Sequence, residues 1–111
     1  MQQQERRAKR RFPLRLPIII TGTPAGAKIW AVSRDVSAKG VFFYLDYWPR
    51  GVSTIAFNIV LPAELLGAEE SMTAVCKGRI VRLEEHPHMK TGVASTIDEY
   101  LMMDDKNHPV H

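Results

Sequence analysis

Thr54-Ile55-Ala56-Phe57-Asn58-Ile59-Val60-Leu61 is the stretch that decides the fold. Ile55, Phe57, Ile59 and Leu61 fall on one side of an extended chain, and Thr54, Ala56, Asn58 and Val60 fall on the other. Successive side chains of a strand point to opposite faces, so this spacing predicts a strand with one buried face, closed by Pro62.

The same period recurs on both sides of it. Leu14, Leu16, Ile18 and Ile20 alternate with Arg15, Pro17, Ile19 and Thr21 and predict a first strand, which Gly22-Thr23-Pro24-Ala25-Gly26 ends as a turn. Strands are expected over 28–34 and 41–46, where β-branched and aromatic residues concentrate. Tyr47-Trp48-Pro49-Arg50-Gly51 turns the chain before the 54–61 strand, and the segment 63–70 has room for one helical turn after it.

A long fifth strand is expected over 72–84. Its apolar phase passes from Ala74, Cys76 and Ile80 to Val81 and Leu83, which requires a bulge near 78–81. A sixth strand over 89–97 follows His86-Pro87-His88. Thr96-x-x-Glu99 has the spacing of a capping box and predicts a short C-terminal helix over 98–103, with Tyr100, Leu101 and Met103 plugging a barrel end.

Six short strands at fairly even spacing predict an all-β fold, a six-stranded antiparallel β-barrel, because closure removes exposed edges. The expected organisation is a basic N-terminal arm over 1–13, a barrel with its terminal helix over 14–103, and a frayed tail over 104–111. A chain of 111 residues builds one core. Its 45% hydrophobic and 24% charged composition is that of a globular protein and too apolar for a chain disordered throughout.

No run approaches the roughly 18 apolar residues of a spanning helix, and Met1-Gln2-Gln3-Gln4 leads into charge without a hydrophobic signal segment. The expectation is a cytoplasmic protein with no membrane insertion. The single cysteine, Cys76, agrees with a reducing compartment, and its apolar surroundings predict a small buried hydrophobe. Trp30 and Trp48 are expected to pack in the core or at its rim.

The charge is segregated. Arg6, Arg7, Lys9, Arg10 and Arg11 stand against Glu5 in the first eleven residues, whereas the net charge of the whole chain is only +3, so the rest is slightly acidic. Five cations in six positions repel one another and have little apolar surface to bury. The arm should be mobile until an anion meets it.

Catalytic constellations are missing from the sequence. It holds no Walker-type glycine loop, no Gly-x-Ser-x-Gly elbow and no paired cysteine ligands. No carboxylate or thiol set completes a metal site around His86 and His88, and Glu84-Glu85 reads as a solvated strand end. The expectation is a protein that is not an enzyme and carries neither metal nor cofactor.

Two motifs carry the remaining chemistry: Arg6-Arg7-Ala8-Lys9-Arg10-Arg11 and Asp35-Val36-Ser37-Ala38-Lys39-Gly40. Alone, the first is a common solvated basic run and the second a common side-chain-stabilised turn. Together, and in this order, they resemble the signatures of the PilZ family: an arginine pair with a third arginine after three residues, then an Asp/Asn-x-Ser-x-x-Gly turn. Arg6, Arg7 and Arg11 match the first, and Asp35, Ser37 and Gly40 match the second. The order of arm, first strand, second strand, motif turn and remaining barrel extends the resemblance over nearly the whole chain.

The resemblance implies a receptor for cyclic di-GMP, and the residue types suit that ligand. Guanidinium groups bond bidentately to guanine O6 and N7 or to phosphate oxygens and stack on purines. Arg7 and Arg11 are the first choices, and Arg6 extends the motif toward a second ligand molecule. Arg10 and Lys9 lie close enough to substitute for them. Asp35 can accept the guanine N1–H and N2–H pair, and Ser37 adds a further short bond. Gly40 permits either close approach or positive φ.

Arg34 and Lys39 flank the turn as secondary candidates, and Arg79 and Arg82 on the fifth strand are weaker ones. The implied mechanism is a switch in which ligand pins the arm to the barrel and a downstream protein partner reads the altered surface. Two alternatives remain: a PilZ-like protein–protein adaptor with little nucleotide binding, and a nucleic-acid binder that uses the basic arm. The acidic balance of the rest of the chain argues against nucleic acid.

Overall fold

The computed structural model describes residues 13–22, 26, 28–46, 48, 51–85, 90–104, 106 and 108–110. Seven strands and one helical turn follow in the order β1 (Pro17–Ile20), β2 (Ile29–Ser37), β3 (Gly40–Leu45), β4 (Thr54–Leu61), α1 (Ala63–Leu66), β5 (Met72–Glu84), β6 (Thr91–Thr96) and β7 (Glu99–Asp104). The sheet order is β4-β1-β2-β3-β6-β5-β7, and a further pairing of β4 with β5 closes the first six strands into an antiparallel barrel.

Alternation fills this barrel as the sequence demands. Ile18 and Ile20 from β1, Val41, Phe43 and Leu45 from β3, Ile55, Phe57 and Ile59 from β4, and Cys76 and Val93 from β5 and β6 form one core cluster. The rings of Phe43 and Phe57 meet across the interior at 6.4 Å. Each such aromatic burial contributes about 2–3 kcal/mol of hydrophobic free energy. Trp48 joins the core, and its indole N–H donates to the Val52 carbonyl at 3.1 Å.

Two bulges interrupt the ladders. One displaces Arg34 in β2, where the register with β3 shifts between Ser33 and Asp35. The other lies between Ile80 and Arg82 in β5, where the apolar phase changes. The single turn of α1 ends at Gly67, whose φ of 64° is the left-handed conformation that glycine adopts without steric cost.

The expected C-terminal helix is a strand. β5 has 13 residues, and β6 pairs only with Ile80–Glu84 at its far half. That leaves the backbone groups of the first half of β5 open on one edge, and unmet backbone donors and acceptors favour a ladder partner. β7 supplies it by pairing Met72 with Asp104 through to Lys77 with Glu99. The Thr96 hydroxyl, expected as a helix cap, instead accepts from the Arg79 amide at 2.8 Å. Tyr100 and Leu101 therefore stand exposed, and Met102 is the β7 residue that packs on the core.

The tail expected to fray is tied back where it is described. Asp104 accepts from the amides of Lys106 and His108 at 2.9 and 2.8 Å, and the Val110 amide donates to Met102 at 2.8 Å. Trp30 also departs from expectation: it is 68% exposed on the outer face of β2, because Ile29 and Ala31 occupy the inward phase there. No helix among the described residues is long and apolar enough to cross a membrane.

Candidate functional site

The Asp35 to Gly40 motif forms the tip of the β2–β3 hairpin. Asp35 pairs with Phe42, Val36 with Val41 and Ser37 with Gly40, so Ala38 and Lys39 make a two-residue turn. The Ser37 hydroxyl accepts from the Lys39 amide at 3.3 Å and donates to the Gly40 carbonyl at 3.4 Å. Both bonds are long, so the hydroxyl braces the turn while keeping the freedom to rotate toward a stronger partner.

Gly40 is required for close approach and not for positive φ. It is absent from the positive-φ glycines, and a β-carbon there would lie 2.9 Å from the Ser95 carbonyl oxygen of β6. Gly78 does the same from the other side: its β-carbon would meet the Thr96 carbonyl oxygen at 1.8 Å. The end of β6 is thus seated between two glycines. Ile97 then bonds its amide to the Lys39 carbonyl at 2.8 Å, which fixes the hairpin tip to the barrel.

Arg34, the bulged residue, turns outward. Its Nε donates to Asp35 Oδ2 at 2.8 Å, and its guanidinium carbon lies 3.8 Å above the centre of the Phe42 ring. Hydrogen bonds that Arg34 donates to the Asp35 carboxylate and to Tyr44 raise its pKa, so the cation is held. The Asp35 side chain is only 14% exposed.

Phe42 is fully buried although it faces away from the core. Tyr44 meets it edge-on at 5.3 Å, and Gly92 leaves the space for its ring, where a β-carbon would fall 2.5 Å from Cζ. Arg82 reaches the same ring from β5 at 5.7 Å while pairing with Glu84 at 3.0 Å.

These contacts sort the sequence candidates. Arg34, Asp35, Ser37, Lys39 and Gly40 come together on one hairpin, with Lys39 exposed at its tip. Arg6, Arg7, Arg10 and Arg11 lie outside the described residues, as do His86 and His88. Of the two β5 arginines, Arg82 converges on the hairpin through Phe42. Arg79 is engaged elsewhere by a two-point contact with Asp98 at 2.8 and 3.2 Å, which raises its pKa and lowers that of the carboxyl.

The fold is similar to that of Inhibitor of motility (MotI/DgrA) from Bacillus subtilis, with a TM-score of 0.65 and 18% identity. The match covers 80% of this chain and 41% of that one, so the chain spans about two-fifths of that protein's length. At this identity the likeness is one of fold. No family model matches the chain. No curated protein matches it either.

Two contributors to this surface were missed in sequence. Phe42 lies in an unbroken apolar run, Val41-Phe42-Phe43, in which alternate positions look equally fit for the core. Ser33 is buried, and its hydroxyl donates to the Leu14 carbonyl and accepts from the Leu16 amide at 2.8 Å. It thereby ties the segment that leads out of the arm to β2, one residue before the bulge.

The hairpin can do two things chemically. The Asp35 carboxylate accepts, and the Arg34 and Arg82 guanidiniums donate and present flat cationic faces within a few ångströms of one aromatic ring. Such an edge suits a planar ligand that offers both donors and acceptors. Among the described residues no three His, Cys, Asp or Glu side chains gather as metal ligands would.

Proposed function

We propose that this chain is a receptor domain for cyclic di-GMP, not an enzyme, that orders its basic arm over bound ligand and relays the second messenger's level to a protein partner. The carrying observation is the Arg34–Asp35 pair at the base of a clamped hairpin, with Ser37 above it. Guanine offers N1–H and N2–H to a carboxylate and O6 and N7 to a guanidinium, so both halves of the pair find a counterpart on one base. The resemblance of Arg6, Arg7, Arg11, Asp35, Ser37 and Gly40 to the PilZ signatures supports the same reading. So does the likeness in fold to an inhibitor of motility.

In this mechanism the arm supplies attraction and the hairpin supplies selection. Arm cations neutralise the two phosphates, a sequence-blind and salt-sensitive term. Asp35 distinguishes guanine from adenine, because adenine presents no adjacent N1–H and N2–H pair. A preformed hairpin loses little entropy on binding, whereas a charged arm pinned by ligand loses much, and the pinning itself is the signal.

Calorimetry with cyclic di-GMP, GMP and an oligonucleotide tests the proposal. Heat is expected with cyclic di-GMP alone, and Arg7→Ala, Arg11→Ala and Asp35→Ala should each weaken binding at least tenfold. Parallel losses for oligonucleotide and cyclic dinucleotide in the arginine variants, with Asp35→Ala neutral, would instead mark a nucleic-acid binder.

A further inference from the structure

The outer face of β2 carries an apolar groove with a cationic rim. Trp30 and Val32 project from β2, 68% and 50% exposed, and their cross-strand partners extend the surface: Val32 sits between Pro17 of β1 and Tyr44 of β3. The groove encloses about 810 Å³. Among the described residues Arg15, Arg34 and Lys90 stand on its rim; Arg34 is paired with Asp35 at 2.8 Å, and Asp46 lies 3.8 Å from Lys90 in an exposed and therefore weak ion pair.

We propose that this groove is a docking surface for a protein partner presenting a short amphipathic segment, apolar on one side and flanked by carboxylates. The composition is that of an interaction hot spot, since tryptophan, tyrosine and arginine dominate such sites and a barrel gains nothing from an exposed indole. Charge complementarity selects the partner: with Arg34 balanced by Asp35, Arg15 and Lys90 stand over Asp46, and this net positive rim asks for a net negative segment. β2 pairs with β1 over residues 29–32 and with β3 over residues 32–37, and the partner engages the side chains that its outer face presents.

The distance fits a helix. Trp30 and Arg34 stand four positions apart on β2, about 13 Å at the rise of a strand, and two turns of helix span about 11 Å. A concave surface with an acid on its rim suits an inserted segment better than a flat anionic bilayer.

The inference deepens only the output half of the receptor reading and stands without the nucleotide. Arg34 belongs to both surfaces: it lines the groove while bonded to Asp35 of the hairpin. The adaptor's output would then begin four residues from its ligand contact.

Photo-crosslinking of the full chain in the cells that make it tests the surface. Val32 is replaced by p-benzoylphenylalanine, and Val75, exposed on β5 across the barrel, is replaced as the control. The expected product joins position 32 to a peptide of another protein that carries aspartates or glutamates beside large apolar residues. Its yield should fall at least tenfold in Trp30→Ala and, separately, in Arg15→Glu with Lys90→Glu, and position 75 should not form it. Unchanged thermal unfolding of these exposed-site variants shows that the barrel is intact. A product with lipid, nucleic acid or a second copy of the chain, no product, or a yield indifferent to charge reversal overturns the proposal. Calorimetry with cyclic di-GMP on the same protein reports the receptor reading separately.

Discussion

Arg34 stacks 3.8 Å above Phe42, so a charged side chain forms the lid of an aromatic ring that faces away from the core. The ring is the larger energetic partner because it is fully buried, whereas the guanidinium remains part exposed. Phe42→Ala is expected to cost about 3–5 kcal/mol in urea unfolding, as for other buried aromatics. Arg34→Ala should cost no more than about 1 kcal/mol, the range of a part-exposed cation–π contact.

Gly40 and Gly78 hold the end of β6 from both sides, but not equally. An added β-carbon overlaps backbone at 1.8 Å in one case and approaches it at 2.9 Å in the other. Gly78→Ala is therefore expected to destabilise by more than about 3 kcal/mol or prevent folding, and Gly40→Ala by about 1–3 kcal/mol. Equal unfolding midpoints for the two variants would contradict this ordering.

The two tryptophans separate by environment. Trp48→Ala removes a buried indole with its hydrogen bond and should cost about 3–5 kcal/mol, while Trp30→Ala should stay within about 0.5 kcal/mol. In the native protein, acrylamide should quench Trp30 fluorescence and leave Trp48 protected, which single-tryptophan variants resolve.

Asp104 ties the tail to β7, and the amides of His108 and Lys106 lower its pKa by binding the charged form. A depressed folded pKa gives stability that is complete above the ordinary carboxylate range and lost as pH falls through the lowered value. The Val110 amide, bonded to Met102, should lose hydrogen-exchange protection in acid. Asp104→Ala should remove that protection at neutral pH as well.

Burial pushes the Cys76 thiol up to about 11. The thiolate is the reactive form, so the native protein should not react with a disulfide reagent at pH 8 and should react fully in denaturant. The sign of the linkage is set by the neutral thiol being the favoured folded form. Its share of stability is intact below the ordinary thiol range and declines as pH rises toward 11.

The barrel was legible because one face of most strands is strictly apolar, as in Ile55, Phe57 and Ile59. The segment 98–103 was not, since Tyr100, Leu101 and Met103 sit at spacings a helix also uses. The resolving signal was a mismatch of lengths: a 13-residue β5 beside a 6-residue β6 leaves an edge that needs a second partner. Trp30 was read by residue type where phase was the better guide. On the site, local geometry followed from the Asp35 to Gly40 string, whereas the convergence of Arg82 on Phe42 depends on barrel closure and on a bulge in a strand forty residues away. No local pattern encodes such a contact.

The placement of β6 between β3 and β5 also sets an order of events during synthesis. Residues 91–96 follow both strands in sequence, yet they pair with each of them and seat the hairpin tip through Ile97. Until they leave the ribosome, a nascent chain holds β3 with an unpaired edge, a template for association with other chains. Assembly then waits on long-range pairing, which makes folding slow for a protein of this size. The hairpin that we assign to ligand is thus completed only after β6, which follows it by about fifty residues, has been made.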